Sequence, residues 1–453
     1  MDPLALKDIA RMAGAKIVRG SGDVVVSRVG KDTRTIQQGD LYVALRGEHF
    51  DGNAFAVDAA SRGAAAVLLD APEAVGALPE GFPVLLADDG LAALTRLAAA
   101  WRARLDLKVL CITGSNGKTS TKDFAAAVLG ARFHVTKTQG NLNNHIGLPL
   151  SILAAGSSDT AAVWEIGMNH PGEIAPLAAL ARPDAAIITN IGVAHIEFLK
   201  SREAIAGEKG ALAEAVPAAG FVVLSASDDQ SAGIAARCSA RVIRTGLASG
   251  DITAGSIEES EDSCAFVLHA GGEERGARIL CHGAHMVANA IQAVAAGIAF
   301  GVSAQEAVAA LAKVKPAGGR LERRTIRGIS FLDDTYNASP DSMDAALATL
   351  RALPGSGHRI ALLGKMGELG EHAAEGYRRA GIAAGKYADI LVAVGAETAP
   401  LAEAARKAGL GRTHEVADSA SAARMLAQLA KPGDIVLVKG SRSAQMENVL
   451  NNF

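Results

Sequence analysis

Short apolar runs rich in β-branched residues recur along the chain, and polar turns between them give way to stretches with apolar residues at helical spacing. The runs lie at 41–45, 65–69, 109–112, 161–166, 185–189, 221–225, 241–244, 329–333, 360–363, 390–394 and 435–438, and each reads as a strand. Helical spacing follows at 91–105, through Phe124, Val128 and Leu129, in the alanine-rich stretch opened by His285, and from about Asp341. Strands alternating with helices predict mostly parallel sheets covered on both faces. Residues 251–282 depart from this, because they alternate and are turn-rich, which predicts antiparallel hairpins.

A chain of 453 residues holds about three domains. Breaks are expected at the proline-flanked stretch 79–83 with its Asp88-Asp89-Gly90 turn, and at Lys315-Pro316-Ala317-Gly318-Gly319, which reads as a linker. The expected domains are therefore 1–88, 89–316 and 317–453.

Composition narrows the class. Hydrophobic residues make up 49% of the chain and aromatics only 4%, so the cores must be aliphatic. The net charge is -3 and no long basic run occurs, which argues against a nucleic-acid partner held by phosphate neutralisation. The 4 cysteines, Cys111, Cys238, Cys264 and Cys281, form no close pair and read as reduced thiols of a cytosolic protein. Met1-Asp2-Pro3 has no basic start and no apolar run follows, so no signal peptide is expected. Nor is any stretch apolar and long enough for membrane insertion.

The sharpest motif is Thr113-Gly114-Ser115-Asn116-Gly117-Lys118-Thr119-Ser120, between a strand and a helix. Glycines let the backbone turn and present its N–H groups, and the helix start adds positive potential, so the turn suits phosphate. Lys118 would reach terminal phosphates and the Thr119 hydroxyl would hold Mg²⁺. The first glycine of the common pattern is replaced by Ile112, so the loop is a shortened form. Ligands collect at the carboxyl ends of parallel strands. Glu165 and His195 both fall there, and a carboxylate and an imidazole beside a triphosphate suit Mg²⁺ or Mn²⁺. The asparagine-rich loop containing Asn141 and Asn144 suits polar recognition or turn-making. Asn289, on the helix after His285, reads either as a contact to an adenine or ribose edge or as a helix-surface residue. Arg320, next to the linker, reads as a stabiliser of transferring phosphate or as a solvated charge. Asp32-Thr33-Arg34 places an arginine in a loop before a strand, suited to an anionic ligand or to surface pairing.

Taken together, these stretches resemble the Mur ligase family, the ATP-dependent amide-forming enzymes of peptidoglycan synthesis. The likeness is carried by the shortened phosphate loop, Asn141-Leu142-Asn143-Asn144, Glu165-Ile166-Gly167, Asn190-Ile191-Gly192-Val193-Ala194-His195, His285 to Asn289, Gly319-Arg320 and Lys439-Gly440-Ser441-Arg442-Ser443. Within the family, Asp333-Asp334-Thr335-Tyr336-Asn337-Ala338-Ser339-Pro340 is similar to the signature of the member that takes a dipeptide. The resemblance implies a small α/β N-terminal domain, a central P-loop mononucleotide-binding domain with a mostly parallel sheet, and a C-terminal Rossmann-like doubly wound domain. It implies ATP and Mg²⁺ as cofactors, UDP-MurNAc-tripeptide and D-Ala-D-Ala as substrates, and a monomer. It puts Asp32, Thr33 and Arg34 in the UDP-substrate domain, and Asp334, Tyr336, Asn337 and Ser339 at the acceptor. Glu165 and His195 are implied to hold the metal together with Lys209, the lysine that becomes carbamylated. A folylpolyglutamate synthase-like ligase, an ATP-hydrolysing switch and an inactive UDP-sugar binder are the rivals. Dependence of phosphate release on the acceptor separates them.

Overall fold

The computed structural model describes residues 1–315 and 318–453. The expected linker and the break at 316/317 fall on Pro316 and Ala317, outside the described residues. Contacts divide the chain into two compact units. One comprises Met1–Cys111, Phe133–Met168 and Glu173–Asp184; the other comprises Ile112–Arg132, Asn169–Gly172 and Ala185–Phe453.

The first unit carries a sheet in the order Lys16–Arg19, Val84–Leu86, Ala66–Leu69, Asp40–Val43, Arg28–Gly30, parallel except at its first pairing. Its inner faces bury Tyr42, Val67, Leu69 and Val84 against the helix Ala56–Ser61. A second parallel pair joins Val135–Lys137 to Ala161–Glu165. The helix expected at 91–105 runs Gly90–Arg102. Asp89 caps its start by accepting from the Ala92 N–H. It stops early because the Arg102 guanidinium turns back to the carbonyls of Leu105, Ala181 and Arg182.

The second unit holds two sheets. In the first, Ala185–Ile188, Phe221–Ser225, Arg241–Gly246 and Ile252–Glu259 run parallel, and Cys264–Ala270 and Glu273–Ile279 extend them antiparallel, as the alternation at 251–282 predicts. Helices Lys118–Leu129 and Ala284–Ala299 pack against each other beside it. The other sheet has the order Glu322–Ile326, Ile329–Asp334, Ile435–Lys439, Arg359–Leu363, Ile390–Val394, Thr413–Val416, parallel except for its first strand. Its core is aliphatic apart from Phe331, which meets Phe453 edge-on at 5.2 Å.

All four cysteines are unbridged, and burial raises the thiols of Cys111 and Cys281, with Cys264 raised to about 12. Among the described residues no helix is long and apolar enough to cross a membrane.

Phe331→Ala removes a fully buried ring from the second strand of the last sheet. The change should destabilise the protein by about 3–5 kcal/mol, read as an earlier denaturant midpoint for the unfolding of the second unit. A midpoint like that of the wild type would mean that the ring does not anchor this core.

Candidate functional site

The turn from Gly114 to Gly117 sits between the strand Lys108–Thr113 and the helix Lys118–Leu129. Gly117 has φ +81°, and a Cβ there would lie 2.6 Å from the Asn289 side-chain oxygen. Asn289 is therefore a buried prop beneath the turn. The turn is braced from the stretch after Ala185–Ile188. Ser115 N–H donates to the Asn190 carbonyl at 2.9 Å, and Gly192 N–H donates to Ser115 Oγ at 2.9 Å. Asn116 N–H donates to Asn190 Oδ1 at 3.1 Å, while Asn190 Nδ2 and Thr189 Oγ1 donate to the Asn116 carbonyl at 3.1 and 2.5 Å. Lys118 folds over the turn, its Nζ 2.9 Å from the Gly114 carbonyl. Thr119 is buried and Ser120 half-buried on the first helical turn.

The last sheet of the same unit reaches this turn from the other side. Arg320 Nη2 donates to Thr119 Oγ1 at 3.0 Å, and its guanidinium stacks over Tyr336 at 4.0 Å. Ser339 Oγ donates to Asn116 Oδ1 at 3.0 Å and caps the helix Pro340–Ala352. Asp341, on the first turn of that helix, accepts from Val193 N–H at 2.9 Å and from Arg379 at 2.8 Å. A side chain at Gly192 would overlap the Asp341 carboxylate, so only glycine allows this approach. Asp334 is locked elsewhere, its Oδ2 2.5 Å from the buried Lys439 Nζ, which also donates to the carbonyl of the exposed Asn337 at 2.9 Å.

His195 and Glu368 meet in the same region, with His195 Nδ1 2.5 Å from Glu368 Oε2. Both backbones are left-handed, at φ 65° and 59°, a conformation non-glycine residues keep only when their surroundings impose it. The adjacent His195 imidazole holds the Glu368 carboxyl below its usual range, helped by Lys118 and His170. Lys209, on the helix Arg202–Glu214, is 0% exposed, and its Nζ has no hydrogen-bond partner among the described residues. Burial first, and the Lys118 charge second, push its amine well below the ordinary lysine range.

The remaining candidates lie in the first unit. Glu165 is buried; its Oε1 accepts from Asn143 Nδ2 at 2.8 Å, and its N–H donates to Thr138 Oγ1 at 3.0 Å. Asn143 is thus the asparagine of its loop that reaches Glu165. Asn144 instead accepts from the Ile146 and Gly147 N–H groups, making the turn, and Asn141 is exposed. Arg34 is 83% exposed and pairs with Asp32 at 2.6 Å, which lowers the Asp32 carboxyl to about 2; Asp32 also caps the short turn Thr33–Thr35. Reading the sequence missed Glu368, Asp341 and the bracing role of Asn190. Glu368 and Asp341 act through contacts far along the chain, and Asn190 showed only as part of the strand-end run. Among the described residues no group of three or more His, Cys, Asp or Glu side chains is placed to hold a metal. A cation here would draw on Thr119, His195 and the phosphates it accompanies.

Three family profiles match the chain. They are described as the Mur ligase family catalytic domain at 25–101, the Mur ligase middle domain at 112–297 and the Mur ligase glutamate ligase domain at 319–442. The chain is 37% identical over 452 residues to the UDP-N-acetylmuramoyl-tripeptide–D-alanyl-D-alanine ligase of Bacillus subtilis (strain 168), covering 99% of this chain and 98% of that protein. Its fold is similar to the crystal structure of MurF from Acinetobacter baumannii, at TM-score 0.89 and 30% identity, covering 100% of this chain and 99% of the other. MurF ligase from Thermotoga maritima, in complex with ADP, matches at TM-score 0.83 and 27% identity, covering 94% and 97%.

Gly117→Ala puts a methyl group against Asn289 and forces a residue with a Cβ into a left-handed turn. The strain is about 1–3 kcal/mol, so ADP binding measured by calorimetry should weaken roughly tenfold or more with the far-UV spectrum unchanged. Unaltered ADP affinity would show that this turn does not seat the nucleotide.

Proposed function

The chain belongs to the Mur ligase family, and we infer that it is an ATP-dependent ligase adding D-alanyl-D-alanine to UDP-N-acetylmuramoyl-tripeptide. It has the three-domain α/β architecture of that family. We assign residues 1–88 to the UDP-substrate, 89–316 to ATP, and 317–453 to the incoming dipeptide and completion of the ATP site. We place the enzyme in the cytoplasm, as a monomer. The observation that carries the reading is the meeting of Lys118, Thr119 and Arg320 at one braced glycine turn.

The chemistry follows from the substrates. A peptide carboxylate is a poor electrophile. Its oxygen attacks the terminal phosphorus of ATP, the bond to ADP breaks, and an acyl phosphate results. The dipeptide amine then attacks the acyl carbon, phosphate leaves, and the amine gives up a proton. Lys118 and Arg320 supply positive charge where the phosphoryl group moves. Exclusion of water by the seated C-terminal sheet protects the acyl phosphate. Thr119 and His195 suit Mg²⁺, with Glu165 as a further assigned ligand; the ion, when bound, neutralises phosphate charge. Asp32, Thr33, Arg34, Asn141 and Asn144 are assigned to the UDP-substrate, and Tyr336, Asn337, Ser339 and Asp334 to the dipeptide side.

Lys209 is assigned as a carbamate. A buried ammonium without a partner is unfavourable, and its lowered pKa supplies the neutral amine that CO₂ requires. The nitrogen bonds the carbon of CO₂, a proton leaves, and the side chain becomes an anionic oxygen donor suited to a hard cation.

The test of the ligase reading is phosphate release from ATP in the presence of UDP-MurNAc-tripeptide. Release should need D-Ala-D-Ala as well, and free D-alanine should substitute poorly. Release that is indifferent to the acceptor would point to a hydrolysing switch.

The modification is read separately. Protein equilibrated with ¹³C-bicarbonate should show one carbamate carbon signal that is missing from Lys209→Ala. That variant should lose most activity, with partial recovery in acetate. No signal in the native protein would dismiss the carbamate.

A further inference from the structure

Glu368 lies in the loop that follows the strand Arg359–Leu363 of the last sheet, whereas His195 opens the helix Ile196–Leu199 beside the phosphate turn. The two meet twice. Glu368 Oε2 lies 2.5 Å from His195 Nδ1, and the Glu368 carbonyl accepts the Glu197 N–H at 3.2 Å. Two residues on, a Cβ at Gly370 would lie 2.9 Å from Glu197 Cγ, so the loop is pressed close to this helix. Both residues have left-handed backbones, so the loop and the helix start are each bent where they meet. Lys118 and His170 also face the carboxylate and favour its ionised form. A neutral imidazole carries one N–H and one lone pair, and the hydrogen bond at one nitrogen decides which nitrogen holds the lone pair.

We propose that Glu368 is a positioning residue for His195: it holds the Nδ1–H, leaves the lone pair on Nε2, and so ties the orientation of the ring to the seating of the last sheet. The inference rests on the reading of His195 as a ligand of the nucleotide's cation. Glutamine at 368 keeps an acceptor for Nδ1–H without the charge, whereas leucine keeps the bulk without the acceptor. A merely packing role for Glu368 would be served by either.

The experiment uses full-length protein. Ring ¹⁵N spectra of histidine-labelled protein without nucleotide or metal, with His195→Asn assigning the signals, should show a single Nδ1–H tautomer in wild type and in Glu368→Gln. Glu368→Leu should lose it. In the ligase assay Glu368→Leu should lower kcat about 10–100-fold and raise the Mg²⁺ requirement, while Glu368→Gln stays within about threefold of wild type. Thermal unfolding checks that both variants fold. Should Glu368→Leu fail to fold, Glu368→Gln and wild type still decide the tautomer. An Nε2–H tautomer in wild type overturns the proposal, as does a Glu368→Leu protein with an unchanged ring signal and Mg²⁺ requirement. The spectra contain no substrate, so a failure of the ligase reading would appear in the wild-type assay alone and leave the tautomer result standing.

Discussion

Much of the second unit depends on how Asn116 is held. Its carbonyl accepts from Thr189 and Asn190, its N–H donates to Asn190, and its side-chain oxygen accepts from Ser339. Two of the turn's own amides, those of Ser115 and Asn116, are spent on this bracing, and both go to Asn190. The fixing therefore comes from outside, from the end of a neighbouring strand and from the cap of a helix in another sheet. One residue thus joins three elements that are far apart in the chain.

Charge adds a second constraint. Lys118 and Lys209 sense one another, and Lys209 is fully buried. Burial and the Lys118 charge both disfavour an ammonium at Lys209. Lys118 is held at the turn by the Gly114 carbonyl. Burial thus makes Lys209 an uncomfortable cation.

The strand and helix order was legible because aliphatic runs and glycine turns are local signals, and the glycine turn before Lys118 was legible for the same reason. The alternating stretch 251–282 announced its hairpins by periodicity alone. What escaped was the partner choice. Nothing adjacent to Glu368 points to His195, and nothing near Asp341 points to Val193, because those pairings are set when two sheets meet. In the asparagine-rich loop, composition marked a polar segment but not which asparagine would meet Glu165. Asn143 faces Glu165 while Asn144 makes the turn, a difference of one position that backbone geometry decides.

Both sheets of the second unit end in an antiparallel strand, Glu273–Ile279 in one and Glu322–Ile326 in the other. Each is dense in charge, with Glu273, Glu274, Arg275 and Arg278 on the first and Glu322, Arg323 and Arg324 on the second. A bare sheet margin invites another strand to add to it, and charged side chains along the margin make that addition unfavourable. The long aliphatic strands inside therefore lie behind borders that repel imitation, and the sheets stop growing where the sequence turns ionic.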